Sequence, residues 1–250
     1  MIGVIGGTGL DGLPGAQVHR RHNVTSKYGA ASDAVLEVEI DGQTILFLPR
    51  HASNHRLPPH LINYRANIWA LHKLGVTEIL AVNAVGGIHP GFGMGDLVVP
   101  DQIVDYSYGR EATFFDGISE PLQHCDFSEP FSESLRRRLV AAGFVTERTL
   151  HDGGVYACTQ GPRLETAAEI QRLKRDGCDL VGMTGMPEAA LARELEIDYA
   201  VISMIVNPAA GLGEQPLSHE EIAAESARMA VDVREIIAAV VSAPGEHEVA

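Results

Sequence analysis

Short apolar runs that alternate with stretches of helical period constrain this chain more than any other feature. Residues 1–5, 35–40, 44–48, 78–85 and 199–206 read as strands. Several are nearly continuous in apolar residues, as strands covered on both faces must be. Residues 61–74 carry Ile62, Ala66 and Trp69 at i, i+4 and i+7 and stop at Gly75, so they read as a helix. Thr166-Ala-Ala-Glu169 and Ser218-His-Glu-Glu221 are capping boxes. The first opens a helix that stops at Gly177. The second opens a long helix with Ile222, Met229, Val233, Ile236 and Ile237 on one side. Pro187 suits the first turn of a helix through residue 195. Such alternation predicts one α/β domain over residues 1–250, built on a largely parallel or mixed sheet. From Pro244 onward a frayed tail is expected. In folds of this class ligands sit in the loops that follow strand ends.

Composition narrows the partners. With 45% hydrophobic residues, 250 residues hold a sizeable core and exclude a disordered or collagen-like chain. Thirty-three acidic against nineteen basic residues leave a net charge of −14. A chain that acidic does not coat a nucleic-acid polymer or an anionic membrane by general electrostatics. Any anion must be held at a local site. Cys125, Cys158 and Cys178 are too few and too scattered for a disulfide framework or a zinc ribbon. With no basic, long-apolar start and no run of spanning length, a cytoplasmic protein is expected.

Six loops carry the residues on which chemistry could rest. Gly6-Gly7-Thr8-Gly9 follows the first strand, where glycines let amides converge on an anion and Thr8 adds a hydroxyl. Gly7 to Gly12 also fits the G-x-G-x-x-G dinucleotide pattern, which needs a helix to start inside it; Leu13-Pro14-Gly15 disfavours that helix. A plain tight turn is a third reading. Arg50-His51 follows the 44–48 strand, and an arginine fork suits two phosphate oxygens. His55 and His60 come next, but Pro58-Pro59 and the lack of a spaced carboxylate or Cys speak against a metal site. Asn83-Ala-Val-Gly-Gly87 offers close backbone approach. Gln160-Gly-Pro-Arg-Leu-Glu165 brings Glu165, which can equally serve as a helix first-turn charge. Gly182-Met-Thr-Gly-Met-Pro-Glu188 and Val206-Asn-Pro-Ala-Ala-Gly211 complete the set. Asn207 offers both an acceptor and a donor, as needed to read a base edge carrying one of each.

In this order and spacing the loops resemble those of the purine nucleoside and methylthioadenosine phosphorylase family, over essentially the whole chain. The block from Arg50-His51 through Asn63-Tyr-Arg-Ala-Asn-Ile-Trp69 resembles the methylthioadenosine branch, and Asn83–Gly87 with Val181–Glu188 its methylthioinosine members. The resemblance implies a single α/β domain whose mixed twisted sheet partly closes into a barrel flanked by helices. It implies that Thr8, Arg50, His51, Ala84 and Thr184, with Asn83 alongside, hold inorganic phosphate as co-substrate, with no other cofactor and no metal. It implies Met183 against the ribose, Leu164, Glu165, Asn207 and Ala209 around the purine, and His55 near the 5′ end. His124 matches a histidine that family trimers contribute to the neighbouring subunit, so a homotrimer is expected.

Two positions bear on the base. The adenine-specific enzymes carry Asp-x-Asp and a serine where this chain has Asn207-Pro-Ala209 and Glu165. An ionised Glu165 accepts from the N1–H of a 6-oxopurine, and Asn207 can donate to O6 while meeting N7; an Asp at 207 would face O6 acceptor to acceptor. A 6-oxopurine nucleoside is therefore expected: inosine, guanosine or S-methyl-5′-thioinosine. The 5′ group is in conflict. Overall resemblance favours methylthio, whereas Ser218-His219-Glu-Glu-Ile222 resembles a segment whose histidine bonds a 5′-hydroxyl. Inosine and guanosine are thus expected to be good substrates, with methylthioinosine tolerated or competing. Methylthioadenosine phosphorolysis, an NAD-dependent oxidoreductase built on Gly7–Gly12 and a non-catalytic nucleoside binder remain as alternatives.

Overall fold

A computed structural model describes residues 1–10, 12–148, 150–214 and 219–243, with the backbone alone at position 219. The chain runs β1 (Ile2–Gly6), β2 (Gln17–His22), β3 (Val35–Ile40), β4 (Gln43–Pro49), α1 (Tyr64–Lys73), β5 (Glu78–Gly87), β6 (Leu97–Val99), β7 (Gln102–Asp105) and α2 (Glu133–Val145). It continues through β8 (Leu150–Asp152), β9 (Val155–Cys158), α3 (Ala167–Arg175), β10 (Leu180–Gly182), α4 (Gly185–Glu194), β11 (Asp198–Pro208) and α5 (His219–Ser242).

The apolar strands are buried on both faces because their successive side chains feed two cores. Val4, Phe47, Leu80 and Ile202 join Leu139 of α2 and Val233 of α5. Their neighbours Ile5, Leu48, Ala81 and Val201 join Ile68 of α1 and Leu191 of α4 on the opposite face. The single mixed α/β layer with helices on both sides is the class expected from the sequence.

The sheet does not close into a barrel, and here the expectation of partial closure is corrected. One path runs β2-β3-β4-β1-β5-β10-β9-β7, while β11, β6 and β8 branch from β5. The branch arises because β5 is long. Its first half pairs with β1 in parallel and its end with β10 in antiparallel. Its other edge carries β11 in parallel from Glu78 to Gly87. No pairing joins the β2 or β7 end back to the β8 end among the described residues.

Local signals explain where elements start. The helix expected over 61–74 begins at Tyr64, because Asn63 Oδ1 accepts the Ala66 amide at 3.1 Å and caps it. The capping box at Thr166 forms both of its bonds, 3.1 Å and 2.7 Å. The second box begins at Ser218, which lies outside the described residues, as does the tail from 244.

Candidate active site

One cavity of about 520 Å³ opens where the C-terminal ends of β1, β4, β5, β10 and β11 meet. Its walls include Thr8, Arg50, His51, Asn83, Ala84 and Thr184 together with Leu164, Glu165, Met183, Asn207, Ala209 and His55. Every same-chain residue expected from the sequence, apart from His219, therefore converges on one space. His219 heads α5, but its side chain lies outside the described residues. His124 is exposed in the segment between β7 and α2 and does not line the cavity of its own chain.

The glycine loop after β1 forms a turn closed by Leu10 N donating to Gly7 O at 2.9 Å. The next regular element is strand β2, and no helix starts in the described part of the loop. A dinucleotide pyrophosphate needs a helix N-terminus there, so the Gly7–Gly12 pattern lacks its structural context. Gly7 is required for another reason. A Cβ there would lie 2.6 Å from Val82 O and 2.9 Å from Arg50 Nη1.

Arg50 is fully buried. Its Nε and Nη2 donate to the two carboxylate oxygens of Glu188, each at 2.7 Å, and Nη1 donates to Val82 O at 2.8 Å. Burial depresses the guanidinium pKa, but the Glu188 charge and hydrogen bonds outweigh this and raise it. The sequence suggests that the fork of Arg50 meets two anion oxygens. One side of that fork instead faces Glu188. Of the five N–H groups of an arginine, the two that remain have no protein acceptor among the described residues.

His51 is buried beside it. Its Nδ1 lies 2.8 Å from Leu57 O. A carbonyl only accepts, so Nδ1 carries the proton and the neutral ring leaves Nε2 as an acceptor. Burial and the Arg50 charge push the ring pKa down from 6.5 to about 3. His55 stacks on His51 at 4.2 Å between ring centroids. Between and beside them, Ala52, Asn54 and His55 have φ of 61°, 60° and 51°. Non-glycine residues in this region cost on the order of 1–3 kcal/mol each and need support. Asp33 Oδ2 supplies it by accepting Ser53 N at 3.0 Å and Ser53 Oγ at 2.6 Å.

Asn83 is 3% exposed, and neither Nδ2 nor Oδ1 has a hydrogen-bond partner among the described residues. Buried amides without partners are uncommon and mark a place where a ligand completes the bonding. Thr184 sits at the turn into α4, where its amide lies 3.3 Å from Tyr156 Oη.

At the opposite end, Glu165 Oε1 accepts Thr159 Oγ1 at 2.6 Å. The loop is held by Arg110, which donates to Thr159 O at 3.2 Å, Gln160 O at 3.0 Å and Gln160 Oε1 at 3.2 Å. Asn207 follows a β-bulge between Ile205 and Asn207, and its Nδ2 donates to Pro208 O at 2.6 Å. A bulge re-aims the next side chain, here toward the cavity. The sequence reading assigns no site role to Arg110, Tyr199 or Ile222. Arg110 lies in a segment without periodicity, and Tyr199 reads as an ordinary strand residue. Glu188 stands in a loop picked out by sequence, but nothing there pairs it with Arg50, 138 positions away.

No serine, cysteine or lysine is among the described residues that line the cavity. Cys158 is buried nearby, and burial pushes its thiol up to about 12. Among the described residues, no three His, Cys, Asp or Glu side chains converge as metal ligands would. No described helix is long and apolar enough to cross a membrane. What the cavity offers is an anion-sized cluster of donors at one end, a carboxylate and an amide at the other, and room for a nucleoside between them.

The chain matches the phosphorylase superfamily over residues 1–242. It is 56% identical over 219 residues to the "Probable S-methyl-5′-thioinosine phosphorylase" of Pseudomonas syringae pv. tomato, covering 88% of this chain and 89% of that one. It is 41% identical over 246 residues to the "6-oxopurine nucleoside phosphorylase" of Pyrococcus furiosus, covering 96% and 91%. Among solved structures, methylthioadenosine phosphorylase from Schistosoma mansoni in complex with adenine superposes with a TM-score of 0.91 at 32% identity, over 96% of this chain and 90% of that one. The match over nearly all of its length, and a cavity at the strand ends of the same fold, make this chain a member of the phosphorylase superfamily.

Proposed function

We propose that the protein cleaves 6-oxopurine nucleosides with inorganic phosphate, giving the free base and a sugar 1-phosphate. The observation that carries this reading is the two-ended cavity: Asn83 with its unpartnered amide at one end, Glu165 and Asn207 at the other. Phosphate is held by Thr8, Thr184, Asn83, Arg50 and the Ala84 loop, with His51 Nε2 accepting from the protonated oxygen of the hydrogen phosphate. The base is held by Leu164, Glu165, Asn207 and Ala209, the ribose by Met183. Glu165 accepts N1–H, and Asn207 turns its amide from Pro208 to donate to O6 while meeting N7.

The reaction needs no covalent enzyme intermediate. The C1′–N9 bond breaks with its electron pair moving into the purine, where Asn207 stabilises the developing charge. The sugar passes through an oxocarbenium-like state, a phosphate oxygen forms the new bond to C1′, and the proton that hydrogen phosphate gives up is taken, through solvent, by the departing purine. Position and fixed dipoles supply the catalysis. Methylthioinosine, inosine and guanosine are all substrates. Pro58, Pro59 and Ile222 line the cavity with carbon, which suits a thioether as well as a sugar carbon.

His124 completes the site of a neighbouring copy in a homotrimer. Three free cysteines suit a reducing cytoplasm, and purine salvage is the use that such a reaction serves. The test is product release from inosine and methylthioinosine with and without phosphate. Phosphate-dependent hypoxanthine together with a sugar 1-phosphate is expected. Release that ignores phosphate, or none, contradicts the reading.

A further inference from the structure

We propose that Glu188 is a positioning residue for phosphate, acting through Arg50 and itself held by Tyr199; the inference rests on the phosphate reading above. Three separate elements meet at this point. Arg50 follows the last residue of β4, Glu188 lies near the start of α4, and Tyr199 is the second residue of β11. Arg50 and Glu188 are 0% exposed and Tyr199 2%. The Tyr199 hydroxyl donates to Glu188 Oε1 at 2.9 Å, the same oxygen that accepts Arg50 Nη2 at 2.7 Å.

A buried guanidinium without a counter-charge is costly, and a carboxylate in two-point contact removes that cost while fixing the plane of the group. Glu188 therefore does two things. It spends the side edge of Arg50, so that only the two remaining N–H groups are offered to an anion. It also offsets the positive charge, so that phosphate is selected by the geometry of donors and not by net charge. His51 adds none, since its ring is neutral and its one N–H faces Leu57 O. Thr8, Thr184 and Asn83 are neutral donors. Tyr199 keeps the carboxylate from turning, because its hydroxyl holds the same Oε1 from a third element.

A pair that served stability alone would leave the balance of kinetic constants untouched. The decisive set is Glu188→Gln, Tyr199→Phe, Arg50→Met and the Arg50→Met/Glu188→Gln double variant, each assayed for the KM of phosphate and of nucleoside, with thermal midpoints alongside. Glu188→Gln is expected to raise the phosphate KM by about tenfold or more and the nucleoside KM by less than about twofold. Tyr199→Phe moves the same constant in the same direction by about two- to fivefold. In the Arg50→Met background, Glu188→Gln adds nothing further to the phosphate KM, because its route is already cut.

A phosphate KM unchanged in Glu188→Gln, or a full additive effect in the double variant, overturns the proposal while Arg50→Met can still uphold phosphate binding. A phosphate KM unchanged in Arg50→Met overturns the phosphate reading itself, and the proposal with it. If Glu188→Gln does not fold, Tyr199→Phe decides: its phosphate KM rises, or the proposal fails.

Discussion

At one end of the cavity Arg50, Asn83 and Thr184 are 0, 3 and 5% exposed; Arg50 directly follows β4, Asn83 lies within β5, where the sequence suggested a loop, and Thr184 sits in the turn after β10. At the other, Leu164 is 37% exposed and Glu165 hangs from a loop tied down by Arg110. The first end is cut into the packed sheet, where its groups are fixed by the two cores and by Glu188. The second is carried by segments that can exchange residues without disturbing the strands. The difference matches the division of labour in the proposed reaction. Phosphate is constant whatever nucleoside is cleaved, so its site can be rigid. The base and the 5′ group are what such enzymes differ in, and those contacts lie on loops and after a bulge.

The largest expected effect breaks the rigid end. Arg50→Met removes the buried cation and should lower kcat/KM for phosphate by about 2–4 kcal/mol in transition-state terms. Glu188 is then left unpaired, so unfolding stability should also fall, by about 3–5 kcal/mol. Steady-state kinetics on folded variant, checked by denaturant titration, measures both. Unchanged phosphate kinetics would remove Arg50 from the site.

The adjustable end is tested by Asn207→Asp combined with Glu165→Ser. Preference should move from 6-oxo toward 6-amino purines, each mismatched group costing about 1–3 kcal/mol. If the two ends are as independent as their construction suggests, the phosphate KM stays within about twofold of wild type, a shift of some 0.4 kcal/mol. A large change in both constants would tie the ends together.

A subtler property of the rigid end is its response to acid. The His51 ring has its pKa pushed down from 6.5 to about 3 in the folded protein. As pH falls below 6.5, the unfolded chain takes up a proton that the folded chain refuses, so folding stability drops. The slope from this one group is about 1.4 kcal/mol per pH unit while that difference holds. Denaturation midpoints between pH 6 and 4 should therefore fall more steeply for wild type than for His51→Asn; parallel curves would show that His51 is not held neutral.

How far this contrast was legible in the sequence depends on which end is considered. The apolar strands and the residues just after them stand out because burial on both faces leaves continuous runs, and loops after such runs are where ligands sit. Arg50 and Asn207 could thus be placed in candidate loops before any coordinates, whereas Asn83 lies inside β5 and Thr184 follows the three-residue β10, and their phosphate roles were implied by the resemblance. The partners that hold them could not. Glu188 reaches Arg50, and Arg110 reaches Gln160, only because distant elements pack together, and no periodicity announces that. The short strands β6, β8 and β10 have three residues each, too few to show a period. Strand β2, exposed at the sheet edge, reads as polar chain. Partial barrel closure was implied by resemblance alone, and the forked pairing at β5 replaces it.

The smallest expected effect concerns the 5′ group. His219→Met should lower kcat/KM for inosine by about 0.5–1.5 kcal/mol, the value of one hydrogen bond to a hydroxyl. Methylthioinosine, whose thioether barely accepts, should be unaffected or improved. Equal losses on both would mean that position 219 does not read the 5′ substituent.

The most direct test needs no variant. With phosphate saturating, kcat/KM is measured on the wild-type enzyme for S-methyl-5′-thioinosine and S-methyl-5′-thioadenosine, which differ only at the purine C6 edge that Glu165 and Asn207 are proposed to read. The account predicts that the 6-oxo compound is favoured by about tenfold or more, one to two mismatched groups at about 1–3 kcal/mol each. Equal rates, or faster cleavage of the 6-amino compound, would contradict it.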